Sequence, residues 1–348
     1  MAIRFLPATI SILLLIQQPG RSAEDVFSGI DRMVVVGDLH GDYEQAVAVL
    51  RSAGLIDADL KWCGGAAHLV QTGDVLDRGP DPAKIIDLLM QLESQAKAAG
   101  GRVHALIGNH EVMNLIGDFR YVSKPAYAVF AVPGVVSNDG KPPGYAAYRA
   151  AFAIDGKYGR WIRKHNTVIR IDDTVCLHAG IGPKFGDKTI REINDRVRQE
   201  LVQFSKLEGG MAKDPEGPLW YRGMAKGNED LLTPHLKSVL AKWGAARMVV
   251  GHTFTDGAVT PRFGGKVLLV DIGLARLYDE FSRLACLVIE KGKPYALHRG
   301  QRLDLPTDSG PDLLRYLKAA AALDPQPSSL LGRIQKLEQQ LAGAPGTQ

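Results

Sequence analysis

The chain has 348 residues, of which 45% are hydrophobic and 23% charged, and a formal net charge of +4. This is ordinary globular composition, long enough for one large catalytic domain or two small ones, with ample apolar material for a core. Three cysteines (Cys63, Cys176 and Cys286) without zinc-knuckle spacing exclude a disulfide framework, and the lack of a dense Lys/Arg block argues against a nucleic-acid partner.

The first element reads as a leader. Arg4 precedes an apolar run, Phe5 to Ile16, broken only by Pro7, Thr9 and Ser11, and small and polar residues then lead to Ser22-Ala23. The pattern predicts a secretory signal over residues 1–23, a mature chain beginning near Glu24, and export to the periplasm or beyond. Arg21 suits that cleavage site poorly, which leaves open an uncleaved anchor or an apolar tail on a cytoplasmic protein. The run is too short for a stable membrane span.

Short apolar runs then alternate with helical patterns. Met33 to Val36, His68 to Gln71, Val103 to Ile107, Thr174 to Leu177 and Met248 to Val250 read as buried strands. Tyr43 to Ala53 and Pro82 to Ala98 read as helices between the early strands, and the alternation predicts an α/β sandwich. Residues 112–165 form the longest interruption and hold nine of the 24 aromatics: Phe119, Tyr121, Tyr127, Phe130, Tyr145, Tyr148, Phe152, Tyr158 and Trp161. They make either a cap beside the site or a second small hydrophobic core. Further on, Ile190, Ile193, Val197, Leu201 and Phe204 form one helical face that packs inward. Cys176 and Cys286 lie in strand-like runs and read as buried thiols. Two last helices, Pro311 to Ala322 and Ser328 to Leu341, form an extension over 311–348, with Gly343 to Gln348 expected to fray.

Each strand-like run ends in a polar, glycine-containing segment. These are Gly37-Asp38-Leu39-His40-Gly41-Asp42, Thr72-Gly73-Asp74, Gly108-Asn109-His110-Glu111, His178-Ala179-Gly180 and Gly251-His252-Thr253. In such folds ligands bind beyond the carboxyl ends of the strands. On an extended segment Asp38 and His40 share a face and can hold one ion, and Asp74 offers a carboxylate able to bridge two. Asn109, His178 and His252 add one neutral oxygen and two imidazole nitrogens. One histidine alone is more often a core or surface residue, but five such loops together argue for metal. A mixed oxygen and nitrogen set suits Mn, Fe or Zn better than Ca or Mg.

Gly37-Asp38-Leu39-His40-Gly41, Gly73-Asp74-Val75-Leu76-Asp77-Arg78-Gly79 and Gly108-Asn109-His110-Glu111 resemble the three signature motifs of the calcineurin-like metallophosphoesterases. Asp77-Arg78-Gly79 and Glu111 place the resemblance in the phosphoprotein phosphatase branch, and it runs from about residue 33 to 275. Gly108 to Leu115, followed by Gly117-Asp118-Phe119-Arg120-Tyr121, is similar to the Shewanella-like protein phosphatases. The resemblance implies an α/β fold, a β-sandwich flanked by helices in αββα layers, with residues 24–310 as the catalytic domain and a cap inserted at about 112–165. It implies a dimetal site in which Asp38 and His40 hold the first ion, Asp74 bridges, and Asn109, His178 and His252 hold the second. Arg78 and Arg222, the latter in Pro218-Leu219-Trp220-Tyr221-Arg222, would grip the phosphate, and His110 would face the leaving group with Asp77 orienting it. The activity implied is hydrolysis of a phosphomonoester by direct attack of a hydroxide that bridges the metals.

Elementary chemistry agrees. A phosphate dianion repels hydroxide, and two metals both neutralise it and lower the pKa of water from 15.7 to about 7 in favourable cases. Arginine's planar fork matches phosphate oxygens, and an imidazolium beside a carboxylate can protonate a leaving oxygen. Two departures from the family matter. Phe254 stands where many metallophosphoesterases carry a second histidine, which would leave the first metal more open to water. Leu269-Val270-Asp271-Ile272-Gly273 replaces the tyrosine-containing signature of the eukaryotic Ser/Thr enzymes, so a Ser/Thr preference does not carry over. The expected substrate is a phosphorylated protein, on tyrosine or on serine/threonine. Alternatives are a small-molecule phosphatase or dinucleoside polyphosphate hydrolase, and an inactive scaffold that binds phosphorylated partners.

Overall fold

The computed structural model describes residues 24–134, 140–203, 207–279, 283–307 and 310–343. The leader over 1–23, Phe204 and residues 344–348 lie outside the described residues. In chain order the elements are β1 (Val26–Phe27), β2 (Arg32–Val36), α1 (Tyr43–Ser52), β3 (His68–Gln71), α2 (Pro82–Ala98), β4 (Arg102–Ala105) and α3 (Asn109–Leu115). Three short helices follow, α4 (Lys124–Ala128), α5 (Tyr145–Phe152) and α6 (Lys157–Ile162), then β5 (Val168–Ile171), β6 (Thr174–Leu177) and α7 (Ile190–Val202). The remainder comprises α8 (Gly223–Lys226), α9 (Glu229–Trp243), β7 (Arg247–Val250), β8 (Thr260–Arg262), β9 (Val267–Leu269), β10 (Ala285–Glu290), β11 (Lys293–His298), β12 (Gln301–Asp304), α10 (Pro311–Leu323) and α11 (Leu331–Gly343).

The strands form two six-stranded sheets, ordered β1-β5-β6-β7-β9-β8 and β12-β11-β10-β2-β3-β4. Each has a parallel heart, β2-β3-β4 in one and β6-β7-β9 in the other, flanked by antiparallel strands. The heart strands are buried along nearly their whole length rather than on alternate residues. That pattern requires cover on both faces, from the other sheet on one side and helices on the other, and the buried side chains of both sheets belong to a single core. The fold is the α/β sandwich flanked by helices that the sequence predicts. Parallel pairing matters for the site, because it sends the carboxyl ends of β2, β3 and β4, and those of β6, β7 and β9, to a common edge within each sheet.

The predicted helix from Pro82 to Ala98 matches α2, and Asp42 caps α1 through a hydrogen bond from the Gln45 N–H. Val103 to Ile107 is shorter as a strand than predicted. Leu106 still bonds Gln71, but Ile107 N–H turns to Asn166 of the other sheet's side, so the ladder ends at Ala105. The last helix starts at Leu331 rather than Ser328, whose hydroxyl accepts the Leu330 N–H instead of joining the helix. Cys176 and Cys286 are buried in β6 and β10, and burial pushes both thiols up. Among the described residues no helix is long and apolar enough to cross a membrane.

The rings of the aromatic-rich segment pack on one another and are continuous with the common core. Tyr148 contacts Phe119, Tyr127, Phe130 and Phe152 at ring-centroid distances of 4.6 to 5.5 Å, and Phe152 meets Tyr158 at 5.4 Å. Tyr148 and Phe152 are fully buried. Tyr121 differs, standing 5.3 Å from the ring of His110.

Candidate dimetal active site

The loops beyond β2, β3, β4, β6 and β7 bring Asp38, His40, Asp74, Asp77, Asn109, His110, His178 and His252 together as buried residues. Their backbone is unusual. Of the eleven non-glycine residues with positive φ among the described residues, five are His40, Asp74, Asp77, Arg78 and His252. Left-handed backbone at a residue with a side chain costs on the order of 1–3 kcal/mol, so the surrounding fold must hold these residues where they are. Small residues make room for the carboxylates. A Cβ on Gly108 would collide with the Asp74 carboxylate, and one on Gly251 with that of Asp38. The extended geometry expected for Asp38 to His40 is not what pairs them, since β2 ends at Val36 and His40 has φ 42°.

Glu111 organises the second motif from beneath. Its carboxylate accepts the N–H groups of Asp74, Val75, Leu76 and Gly108 at 2.7 to 3.2 Å. This bends residues 74–76 into the turn that lifts Asp74 into the centre. Burial and the nearby Asp74 charge raise the Glu111 carboxyl despite those bonds.

Asp74 belongs to two groups of potential ligand atoms, each drawn together within 4.8 Å: His40, Asp74 and His110, and Asp74, His178 and His252. Its Oδ2 lies 3.9 Å from His40 Nε2, and its Oδ1 3.4 Å from His178 Nε2. The outer nitrogens are already committed, His40 Nδ1 to the Leu76 carbonyl at 3.1 Å and His178 Nδ1 to the Thr72 carbonyl at 2.9 Å. A ring that donates its outer N–H to a carbonyl turns a lone pair inward, as metal-ligating histidines do. Around His178 Nε2 the neighbours are Asn109 Oδ1 at 2.9 Å and His252 Nδ1 at 3.1 Å. One amide oxygen and two imidazole nitrogens thus crowd together, and the buried His252 Nε2 has no hydrogen-bond partner. Burial above all lowers His40 to about 3 and His252 to about 2, so both rings stay neutral. This crowding and the neutral imidazoles fit divalent ions.

Asp38 stands outside the tighter groups. Its Oδ1 accepts the His252 N–H at 3.1 Å, and burial, then the charges of Asp271 and Asp74, raise its carboxyl well above the usual range. Asp271 is a second buried carboxyl in this corner, raised to about 6 chiefly by burial. The Phe254 side of the site carries aromatic rings. Phe254 stacks on Tyr278 at 5.7 Å, Tyr278 lies 6.0 Å from His40, and the Arg283 guanidinium sits 4.5 Å above Phe254.

His110 faces a different environment. Its Nδ1 lies 2.6 Å from Asp77 Oδ2, and the other Asp77 oxygen accepts from Asn114 Nδ2 at 2.9 Å. Asn114 Oδ1 accepts the Tyr148 hydroxyl at 2.7 Å. A buried chain of hydrogen bonds thus runs from His110 through Asp77 and Asn114 to the aromatic segment. Burial alone would lower His110, but Asp74 and Asp77 outweigh it and raise the ring above its ordinary value. Asp77 is fully buried in this chain, so it is no surface ion pair with Arg78. Arg78 lies between the rings of Tyr121 and Tyr278, 5.3 and 5.8 Å from their centres. Arg222 donates to the His252 carbonyl at 2.7 Å and to Thr253 Oγ1 at 3.1 Å. Both arginines line, with Asn109 and His110, one cleft of about 540 Å³.

Asp271, Asn114, Tyr148 and Tyr278 were given no site role by the sequence reading. Asp271 follows β9 in a Gly-containing loop, the same signal that marked the others. Asn114 lies one helical turn after His110, which could have flagged it. Tyr148 is 34 residues from its partner, and no local pattern announces that contact.

Residues 32–256 match the calcineurin-like phosphoesterase family. Shewanella-like protein phosphatase 2 of Arabidopsis thaliana is 30% identical over 78% of this chain and 79% of its own length. Shewanella-like protein phosphatase 1 of Plasmodium berghei (strain Anka) is 28% identical over 64% and 61%. The crystal structure of a cold-active protein-tyrosine phosphatase from a psychrophilic Shewanella species superposes with a TM-score of 0.68 at 29% identity, covering 81% of this chain and 82% of that one.

Proposed function

This chain belongs to the calcineurin-like phosphoesterase family, and from that membership and the geometry of its site we propose that it is a dimetal-dependent phosphoprotein phosphatase that hydrolyses phosphomonoesters. The observation that carries the reading is Asp74 shared between two ligand groups, with Arg78, Arg222 and His110 lining the adjoining cleft. His40 and Asp38 would serve one ion, Asn109, His178 and His252 the other, and Asp74 both. Two such ions, of Mn, Fe or Zn type, neutralise a phosphate dianion and make hydroxide available near neutral pH. Arg78 and Arg222 bind the phosphoryl oxygens, a task that suits the guanidinium fork. The aromatic walls restrict where Arg78 can swing, and the carbonyl of His252 ties Arg222 to the metal-binding loop. His110, whose ring Asp74 and Asp77 raise above its ordinary value, donates its proton to the leaving oxygen. The names of the relatives support a phosphoprotein substrate, and the Shewanella enzyme supports phosphotyrosine.

The leader supports export of a chain beginning near Glu24, and the extension from 311 onward is read as an appendage to a catalytic domain spanning 24–310. The test of the function is direct. Metal-free protein reloaded with Mn²⁺ is assayed on tyrosine- and serine-phosphorylated peptides and on diadenosine tetraphosphate. Peptide hydrolysis exceeding that of the dinucleotide is expected; cleavage of the dinucleotide alone would favour a small-molecule hydrolase.

A further inference from the structure

The cleft extends beyond the groups that hold the phosphate. Asn109, Val112, Met113 and Ile116 recur at helical spacing along α3 and its end, and all four line it. From Asn109 to Ile116 a helix advances about 10 Å, so one wall is an apolar shelf two turns long leading away from His110. Lys213, Pro215 and Trp220 form another wall of the same cleft. This wall is built in place. The buried Glu200 carboxylate accepts the N–H groups of Met211 and Ala212 at 3.0 and 2.8 Å, and Trp220 Nε1 donates to the Ala212 carbonyl at 3.0 Å.

Charge at this part of the cleft is unbalanced. Asp118 is bound by Arg120, with Nε at 2.8 Å and Nη2 at 2.8 Å, and it is the one carboxylate lining the cleft against Arg78, Arg120, Lys213 and Arg222. Arg120 first, and Lys213 more weakly, hold the Asp118 carboxyl below its usual range. Lys213 is exposed, and among the described residues it forms no ion pair. The phosphate is gripped by Arg78 and Arg222, so Lys213 remains as a cation without a strong partner beside an apolar shelf.

We propose that this shelf and Lys213 form a peptide subsite that selects phosphoproteins carrying an acidic side chain next to the phosphorylated residue. The inference rests on the phosphoprotein reading and adds sequence selectivity to it. The leaving side chain lies along Val112, Met113 and Ile116, and the neighbouring carboxylate meets Lys213. Neighbouring residues of an extended peptide are about 3.3 Å apart, so a neighbour falls within the span of the shelf.

The experiment compares two phosphotyrosine peptides that differ only in Glu against Gln beside the phosphoresidue, with p-nitrophenyl phosphate as a third substrate, on the full Mn²⁺-loaded chain. Exposed ion pairs contribute little, so wild type should show a KM lower by about two- to fivefold for the Glu peptide. That ratio should shrink at high salt. Lys213→Glu should erase or invert it, and Lys213→Arg should keep it. Because each comparison is a ratio on one enzyme, a general loss of folded protein does not mimic the result. Cleavage of both peptides with the same ratio in wild type and Lys213→Glu overturns the subsite alone. Cleavage of p-nitrophenyl phosphate with neither peptide touched overturns the phosphoprotein reading and the subsite with it.

Discussion

His252 and His110 are both buried histidines beside Asp74, yet their rings are driven in opposite directions. His252 is lowered to about 2 by burial, with His178 adding to the fall, and its Nδ1 lies 3.1 Å from His178 Nε2. His110 is raised, because Asp77 bonds its Nδ1 and Asp74 lies close enough to outweigh burial. The difference assigns roles without reference to position in a motif. A ring held neutral by burial suits a metal ligand, and a ring raised by carboxylates suits the proton donor of the proposed reaction. Two nearby carboxylates on one ring, against burial and a neighbouring imidazole on the other, separate the two fates.

The comparison is broken most severely at the residue both ends share. Asp74→Asn removes a charge from both ligand groups, so activity should fall to background and metal content, measured on the purified variant, should fall with it. Chelation of the wild type should likewise abolish turnover, with Mn²⁺ restoring it.

A sharper cut is Asp77→Asn, which retains a polar group and removes one of the two charges that raise His110. The protonated ring is the active form, so kcat/KM falls as pH rises through its pKa. Loss of Asp77 lowers that pKa, and the falling limb should move to lower pH. An unmoved limb would separate His110 from the titration.

The smallest effect is expected furthest out. Tyr148→Phe deletes the hydroxyl that donates to Asn114 and keeps the ring in its cluster. A single buried hydrogen bond contributes about 0.5–1.5 kcal/mol, so a loss of about two- to tenfold in kcat is expected if Asn114 then holds Asp77 less firmly. Thermal unfolding run alongside would show whether stability falls instead. A change in stability with kcat intact would mean the chain of hydrogen bonds stops at Asn114.

The parts of this account legible in the sequence are those with local signals. Strands announced themselves as apolar runs, and their carboxyl-end loops by Gly beside Asp, Asn or His. Asp38, His40, Asp74, Asn109, His178 and His252 were reached that way, His110, Asp77, Arg78 and Arg222 through the family resemblance, and the structure gathers them about one cleft. What remained hidden depends on contacts distant in sequence. β1 pairs with β5 across more than 140 residues, and only two residues of it form the strand. The aromatic segment could not be divided between cap and core, because Tyr148 and Tyr121 share a composition and differ only in what they touch. The backbone of His40 is a further case. Spacing suggested an extended pair with Asp38, whereas a left-handed turn held by the Asp74 carbonyl, which accepts the His40 N–H at 2.9 Å, sets its direction.

The most direct test of the opposed histidines is His110→Asn on two substrates. Phosphoserine leaves as a basic alkoxide and needs a proton, whereas an acidic phenol such as p-nitrophenol needs it far less. General acid assistance is typically about 10²–10⁴-fold, so kcat/KM should fall by a good part of that range on the phosphoserine substrate and much less on the aryl phosphate. Arg222→Ala, measured beside it, should reduce both alike, since the phosphate is common to both. Equal losses on the two substrates for His110→Asn would contradict the account and leave His110 as a support of the metal site.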